Sequence, residues 1–157
     1  MAEAQAAFLE GNMRETIKAA RNGLQGDKGN YVLLAILGSA LLRNGATPGE
    51  PEFDEALKVT REAVAERPRE PDSQVTLGRL YLMAGKTKKA IAHLEVAMEL
   101  DPENRAACMQ LATAYRQSGD MAKARKMFEL LAQLNERKQG SGMGDGRPAR
   151  KIPHPRR

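Results

Sequence analysis

Between Pro71 and Pro102, apolar residues return at intervals of three and four. Val75, Leu77, Leu80 and Tyr81 form one run, and Ala90, Leu94, Ala97 and Met98 the next. This is the spacing of one buried helical face, not the alternation of a strand. Ala84-Gly85-Lys86-Thr87 divides the runs. Gly85 can take the left-handed conformation that ends a helix, and Thr87 is the expected N-cap of the next one. Pro102 disfavours helical geometry at Asp101 and closes the second run. The prediction is a pair of antiparallel helices. Gly78 and Ala90 sit where the two cross, so that Tyr81 and Leu94 can interlock around them.

The pattern then repeats. Leu77, Gly78, Tyr81, Ala90, Leu94, Ala97 and Pro102 are matched 34 residues later by Leu111, Ala112, Tyr115, Ala124, Phe128, Leu131 and Glu136. Self-similarity at this period marks a stacked helical repeat, in which each hairpin needs neighbours to cover its apolar faces. The spacing resembles the tetratricopeptide repeat (TPR). The resemblance implies an all-α, right-handed superhelical solenoid of about four hairpins.

The repeat frame divides the chain. Residues 1–30 read as a partial N-terminal repeat, with Ala4 and Ala7 in the first helix, Gly11 at the turn and Thr16 where Ala is usual. Residues 31–70 hold a second repeat with Leu37, Gly38, Leu41, Ala56, Ala63 and Pro68; residues 71–104 and 105–138 are the third and fourth. From Gly38 to Ala56 is 18 residues where Gly78 to Ala90 is 12, so six residues are inserted, assigned to Ala46–Pro51 as a stiff loop. That loop is either a tolerated length variant or a contact element. In the fourth repeat Asp120 is the expected N-cap, and the last helix should run to about Arg137. Leu130 and Leu134 then have no following helix to cover them, so an exposed strip and self-association through it are expected.

Function, on the TPR resemblance, lies in the concave groove lined by the first helix of each repeat. The family's inward slots fall on Gln5 and Phe8; Ala35, Ser39, Leu42 and Arg43; Val75, Arg79, Leu82 and Met83; and Met109, Thr113, Arg116 and Gln117. The partner-binding set drawn from these is Arg43, Val75, Arg79, Leu82, Met109, Thr113 and Arg116. Three arginines among apolar residues suit a protein or peptide segment with apolar anchors and acidic groups, because guanidinium grips a carboxylate with two bonds. Solvated helix faces are the alternative use of the same arginines. The family's clamp for chaperone carboxy termini needs Lys, Asn, Lys and Arg where this chain has Ala35, Ser39, Asp72 and Thr76, so that ligand is not implied.

Composition and charge narrow the picture. Aromatic residues are 4% of the chain, Trp is absent, and one cysteine, Cys108, excludes an internal disulfide. Cys108 falls on an apolar helix face and reads as a buried thiol. The net charge of +5 is concentrated: residues 137–157 carry seven Lys or Arg against Asp145 alone, and the remainder is nearly neutral. Residues 139–157, glycine-rich and then proline- and arginine-rich, read as a flexible basic tail. Contact of this tail with nucleic acid or an acidic partner is the alternative function, although the absence of interleaved aromatic residues disfavours nucleic acid.

No catalytic constellation emerges, and the expectation is a non-enzyme without cofactor. His93 and His154 lie far apart, His93 on the outer side of its helix, and neither has metal-ligand spacing. Glu52, Asp54 and Glu55 suit a helix N-terminus. No signal peptide is visible at Met1 and the apolar run Tyr31–Leu42 is too short to span a bilayer, so a cytoplasmic location is expected.

Overall fold

The structure, a computed structural model, describes residues 1–141. The part of the basic tail from residue 142 onward lies outside the described residues. Among the described residues eight helices follow one another: α1 (Ala2–Leu9), α2 (Met13–Gly26), α3 (Tyr31–Arg43), α4 (Pro51–Glu66), α5 (Pro71–Met83), α6 (Thr87–Leu100), α7 (Arg105–Gln117) and α8 (Met121–Ser141). Each odd helix pairs with the even helix after it, giving four hairpins and an all-α solenoid.

The direction of curvature follows from which helices touch. The odd helices contact one another in a row, α1 on α3, α3 on α5 and α5 on α7, whereas no two even helices approach closely. The odd row is therefore the inner side of the stack and the even helices splay outward. Side-chain tips still bridge the outer row at one place: Arg21 donates to Glu55 through Nε (3.0 Å) and Nη2 (2.6 Å), tying α2 to α4.

Turn chemistry sets the helix ends. Gly85 and Gly119 adopt φ of 75° and 85°, conformations that only glycine takes at little cost. The N–H of Lys86 then reaches the carbonyl of Tyr81, and that of Asp120 the carbonyl of Tyr115, each at 2.9 Å. Asp120 caps α8 by accepting from the Lys123 N–H at 3.1 Å. Thr87 does not cap α6: it is the first helical residue, and Lys86 occupies the N-cap without a side-chain bond. Asn12, Asn30 and Asn104 cap α2, α3 and α7, while α4 and α5 open on Pro51 and Pro71.

The six-residue insertion is divided between loop and helix. Ala46 belongs to the common turn, since its N–H bonds the Leu41 carbonyl as Lys86 bonds Tyr81, and it is buried. Thr47–Glu50 is the added loop, closed by the Thr47 N–H on the Glu50 carboxylate at 2.8 Å. Pro51 is already helical, so two further residues lengthen α4 to 16, against 14 in α2 and α6.

Two apolar clusters form the core, one from the first two hairpins with Leu80, the other from the last two. Cys108 is fully buried and its thiol donates to the Met127 carbonyl. Burial pushes that thiol above its ordinary pKa.

The end of the stack departs from expectation. Leu134 is 6% exposed, so it offers no strip for self-association, and Leu130 is half-buried. Because α8 runs back along α7, Leu134 lies near the start of α7, where Arg105 donates to Asn135 and Arg137 pairs with Glu103. The exposed large apolar residues of α8 are Met121 and Phe128. α8 also continues past Arg137 to Ser141, with no proline to stop it and a basic last turn that suits the helix dipole.

Candidate functional site

The odd helices present the candidate groove. Met83 and Met109 are 37% and 46% exposed, whereas Leu77, Leu80 and Leu111 of the same two helices are buried. Arg79 and Arg116 are exposed as well. Neither makes a side-chain hydrogen bond or ion pair among the described residues.

Arg43 differs, because its guanidinium lies 5.0 Å from the centre of the Phe8 ring. That stacking joins two of the anticipated groove residues, from hairpins one and two, and orients the head group. Val75 and Thr113 are half-buried. Leu82, at 9% exposure, is packed in the second core cluster, and Leu42 in the first at 7%. Both present little surface to a ligand.

Phe8, Ala35, Ser39 and Val75 meet around one cleft of about 380 Å³ between α1, α3 and α5. Tyr31, Val32 and Ile36 extend its apolar wall, and Glu70, Asp72, Ser73 and Thr76 complete the lining. Of the last set, Asp72 and Thr76 occupy slots of the missing clamp, and Glu70 and Ser73 carried no expected role. A second cleft of about 430 Å³ opens where the added loop meets α2, lined by Arg14, Arg21, Glu50 and Glu52 among others.

His93 is half-buried rather than on the outer side of its helix. Its Nδ1 lies 2.8 Å from Gln74 Oε1, and its ring stacks on Tyr81 at 5.6 Å between centres. Gln74 Nε2 donates to the Pro68 carbonyl, so its oxygen is the atom facing His93 and Nδ1 must carry the proton. Burial lowers the imidazole pKa, which favours that neutral form. In the last hairpin Tyr115 donates its hydroxyl to Glu95 at 2.5 Å. Burial, and then the bonded carboxylate, hold the phenol protonated well above its ordinary range. The His93 contacts tie α5 to α6 within the third hairpin, and the Tyr115–Glu95 bond ties the third hairpin to the fourth.

Among the described residues no group of three or more His, Cys, Asp or Glu could hold a metal ion, and no helix is long and apolar enough to cross a membrane.

Comparison with known proteins gives a consistent result. Two family models described as tetratricopeptide repeat match residues 51–105 and 82–139, which together span more than half of the chain. BBSome complex member BBS4 of Bos taurus is 29% identical over 97 residues, covering 62% of this chain and 18% of that protein. The chain thus spans under a fifth of that relative's length. Among solved structures, the crystal structure of MamA superposes with a TM-score of 0.72 at 23% identity, covering 87% of this chain and 77% of that one. The first TPR domain of Spaghetti (RPAP3), bound to the HSP90 peptide SRMEEVD, gives 0.65 at 23% identity, covering 75% and 89%.

Proposed function

The chain belongs to the tetratricopeptide-repeat family, and we propose that it is a non-catalytic scaffold that docks a partner segment along the row formed by α1, α3, α5 and α7. The observation that carries this reading is the pairing of exposed methionines with unpaired arginines on that row. Met83 and Met109 stand in solvent close in sequence to Arg79 and Arg116, which have no partner within the described chain. Methionine suits an interaction surface because its flexible, polarisable side chain adapts to irregular shapes. An arginine without an internal partner keeps its full bidentate capacity for a carboxylate from outside.

The partner is a peptide or protein segment with apolar anchors and acidic groups, held chiefly by Val75, Arg79, Met109, Thr113 and Arg116. Arg43, already stacked on Phe8, would contribute as an oriented cation. The Ala35, Ser39, Asp72 and Thr76 set does not supply the cationic clamp that grips a terminal carboxylate in chaperone-binding relatives, so the acidic groups are expected inside the segment.

Hydrogen exchange with bound partner tests the surface. Protection confined to α3, α5 and α7 supports the reading, whereas protection on α2, α4 and α6 alone removes it.

A further inference from the structure

The turns inside the four hairpins share one edge of the stack, because each odd helix leads straight into its even partner and the odd helices lie side by side. Charge along this edge is sorted. Counting from the last turn of each odd helix to the first turn of the even one, hairpin one carries Glu10, Arg14 and Glu15, and hairpin two Arg43, Glu50, Glu52 and Asp54. Their balances are one and two negative charges. Hairpin three carries Lys86, Lys88 and Lys89 with no acid, and hairpin four Arg116, Asp120 and Lys123, leaving three and one positive charges. One turn further in, Glu3 cancels Lys18 and Glu55 cancels Lys58, whereas Arg79, Arg125 and Lys126 add to the positive half.

The lysines of hairpin three run against local preference. Lys86 is the N-cap of α6 without a side-chain cap bond, and no acid stands in the first turn, although a helix N-terminus favours negative charge. Lys89 lies 5.6 Å from the centre of the Tyr81 ring, and Lys86 and Lys88 form no ion pair among the described residues. The ion pairs near this edge, Arg21 with Glu55 and Lys123 with Asp120, each stay within one half of it and leave the sorting intact. In hairpin two the added loop Thr47–Glu50 is exposed throughout and brings Glu50 to the surface. Exposed apolar side chains stand at the two ends of the same edge. Leu9, the last residue of α1, is 86% exposed, and Met121, the first of α8, is 57% exposed.

We propose that this edge is the interface between two copies of the chain, related by a two-fold axis that passes between hairpins two and three. Such an axis reverses the order of the hairpins. Glu50, Glu52 and Asp54 of one copy then face Lys86, Lys88 and Lys89 of the other, twice over, and hairpin one faces hairpin four. The same operation brings Leu9 of one copy onto Met121 of the other, although the charges alone chose the axis. A two-fold interface requires a surface complementary to itself under reversal, and the charge order meets that condition. A copy aligned the same way round would set acids on acids and lysines on lysines. Four hairpins spaced about 10 Å apart, each two helices of about 10 Å deep, give roughly 800 Å² per copy, the size of a standard stable interface. The edge flanks the odd row and does not fill it, so the dimer goes beyond the groove reading and leaves the groove open.

Sedimentation equilibrium of the full chain at low and high salt tests the dimer. At low salt the mass should rise with concentration to twice that of the chain, and high salt should raise the dissociation constant at least about tenfold, because exposed charge pairs are screened. The variants Lys86→Glu/Lys88→Glu/Lys89→Glu and Glu50→Lys/Glu52→Lys/Asp54→Lys should each be monomeric at concentrations where the wild type is dimeric. Mixed in equal amounts they should dimerise, since each then offers the charge that the other lacks. Leu9→Asp changes a side chain with almost no internal contact, so it leaves the fold intact and should weaken the dimer at least about tenfold. A wild-type mass of one chain at every concentration overturns the proposal. So does a dimer that survives both triple changes, which would place the interface elsewhere, on the Met121–Phe128 face of α8 for example. A mixture that stays monomeric, or a Leu9→Asp dimer of unchanged affinity, overturns it equally. None of these outcomes bears on the groove, which hydrogen exchange with bound partner tests separately.

Discussion

A Cβ built on Gly78 would lie 2.5 Å from Leu94 Cγ, and this contact marks where α5 and α6 cross. Leu94 is fully buried, and the atom in question is the branch point of its side chain, not a flexible end. The second hairpin repeats the relationship, with Gly38 and Thr60 in the same places and a Cβ only 2.1 Å from the Thr60 hydroxyl oxygen. The fourth hairpin breaks it. Ala112 brings the methyl that Gly78 lacks, leaving less room at the crossing, and Phe128 opposite is 42% exposed.

Gly78→Ala should therefore destabilise the protein by up to about 2 kcal/mol. The gain in helix propensity, about 1 kcal/mol, is outweighed by an overpacking cost of roughly 1–3 kcal/mol. Urea denaturation measures the difference. A variant as stable as wild type would show that Leu94 moves aside freely.

Thr60→Val should stabilise the fold by about 1 kcal/mol. The Thr60 hydroxyl is buried without a hydrogen-bond partner, and removing such a group recovers its desolvation cost. Similar shape keeps the packing against Gly38 unchanged. A fall in melting temperature would mean that the hydroxyl finds a partner in solution.

His93 should give the protein an acid-sensitive component of stability. Burial sets its folded pKa below the ordinary value of 6.5, so the unfolded chain takes up the proton first as pH falls. Stability is fully present above pH 6.5 and is lost progressively below it, down through the folded pKa. Melting temperatures at pH 7.5 and 5.5 should differ more for wild type than for His93→Gln. Equal losses in both proteins would assign the effect to other groups.

The stack was legible in sequence because its period is enforced by packing: small residues at the crossing, large ones around them, glycine at the turn. Features that depend on what lies across the hairpin were not. Leu134 could not be seen as buried, because its cover is the start of its own partner helix near Arg105, not a following helix. The inserted residues were all assigned to the turn, whereas their division between Thr47–Glu50 and a longer α4 is set by the turn bond from Ala46 to Leu41. His93 was misplaced for a related reason, since Gln74 and Tyr81 approach it from the facing helix. Arg79 and Arg116 were expected at the surface from their slots in the repeat, and both are exposed. The cleft between α1, α3 and α5 was not visible as a unit, because it gathers residues from Phe8 to Thr76 across three hairpins.

The central claim, that the inner row of helices is the docking surface, is tested most directly by affinity for a purified partner. The partner would be identified by affinity capture and mass spectrometry and then titrated against three full-length proteins at low and high salt. Each exposed arginine that grips a carboxylate contributes about 1.5 kcal/mol or more. Arg79→Ala/Arg116→Ala should thus weaken binding at least tenfold, while the chain with Arg150, Lys151, Arg156 and Arg157 changed to Gln should bind as wild type does. Silent arginine substitutions together with loss of binding on neutralising the basic segment would contradict the account.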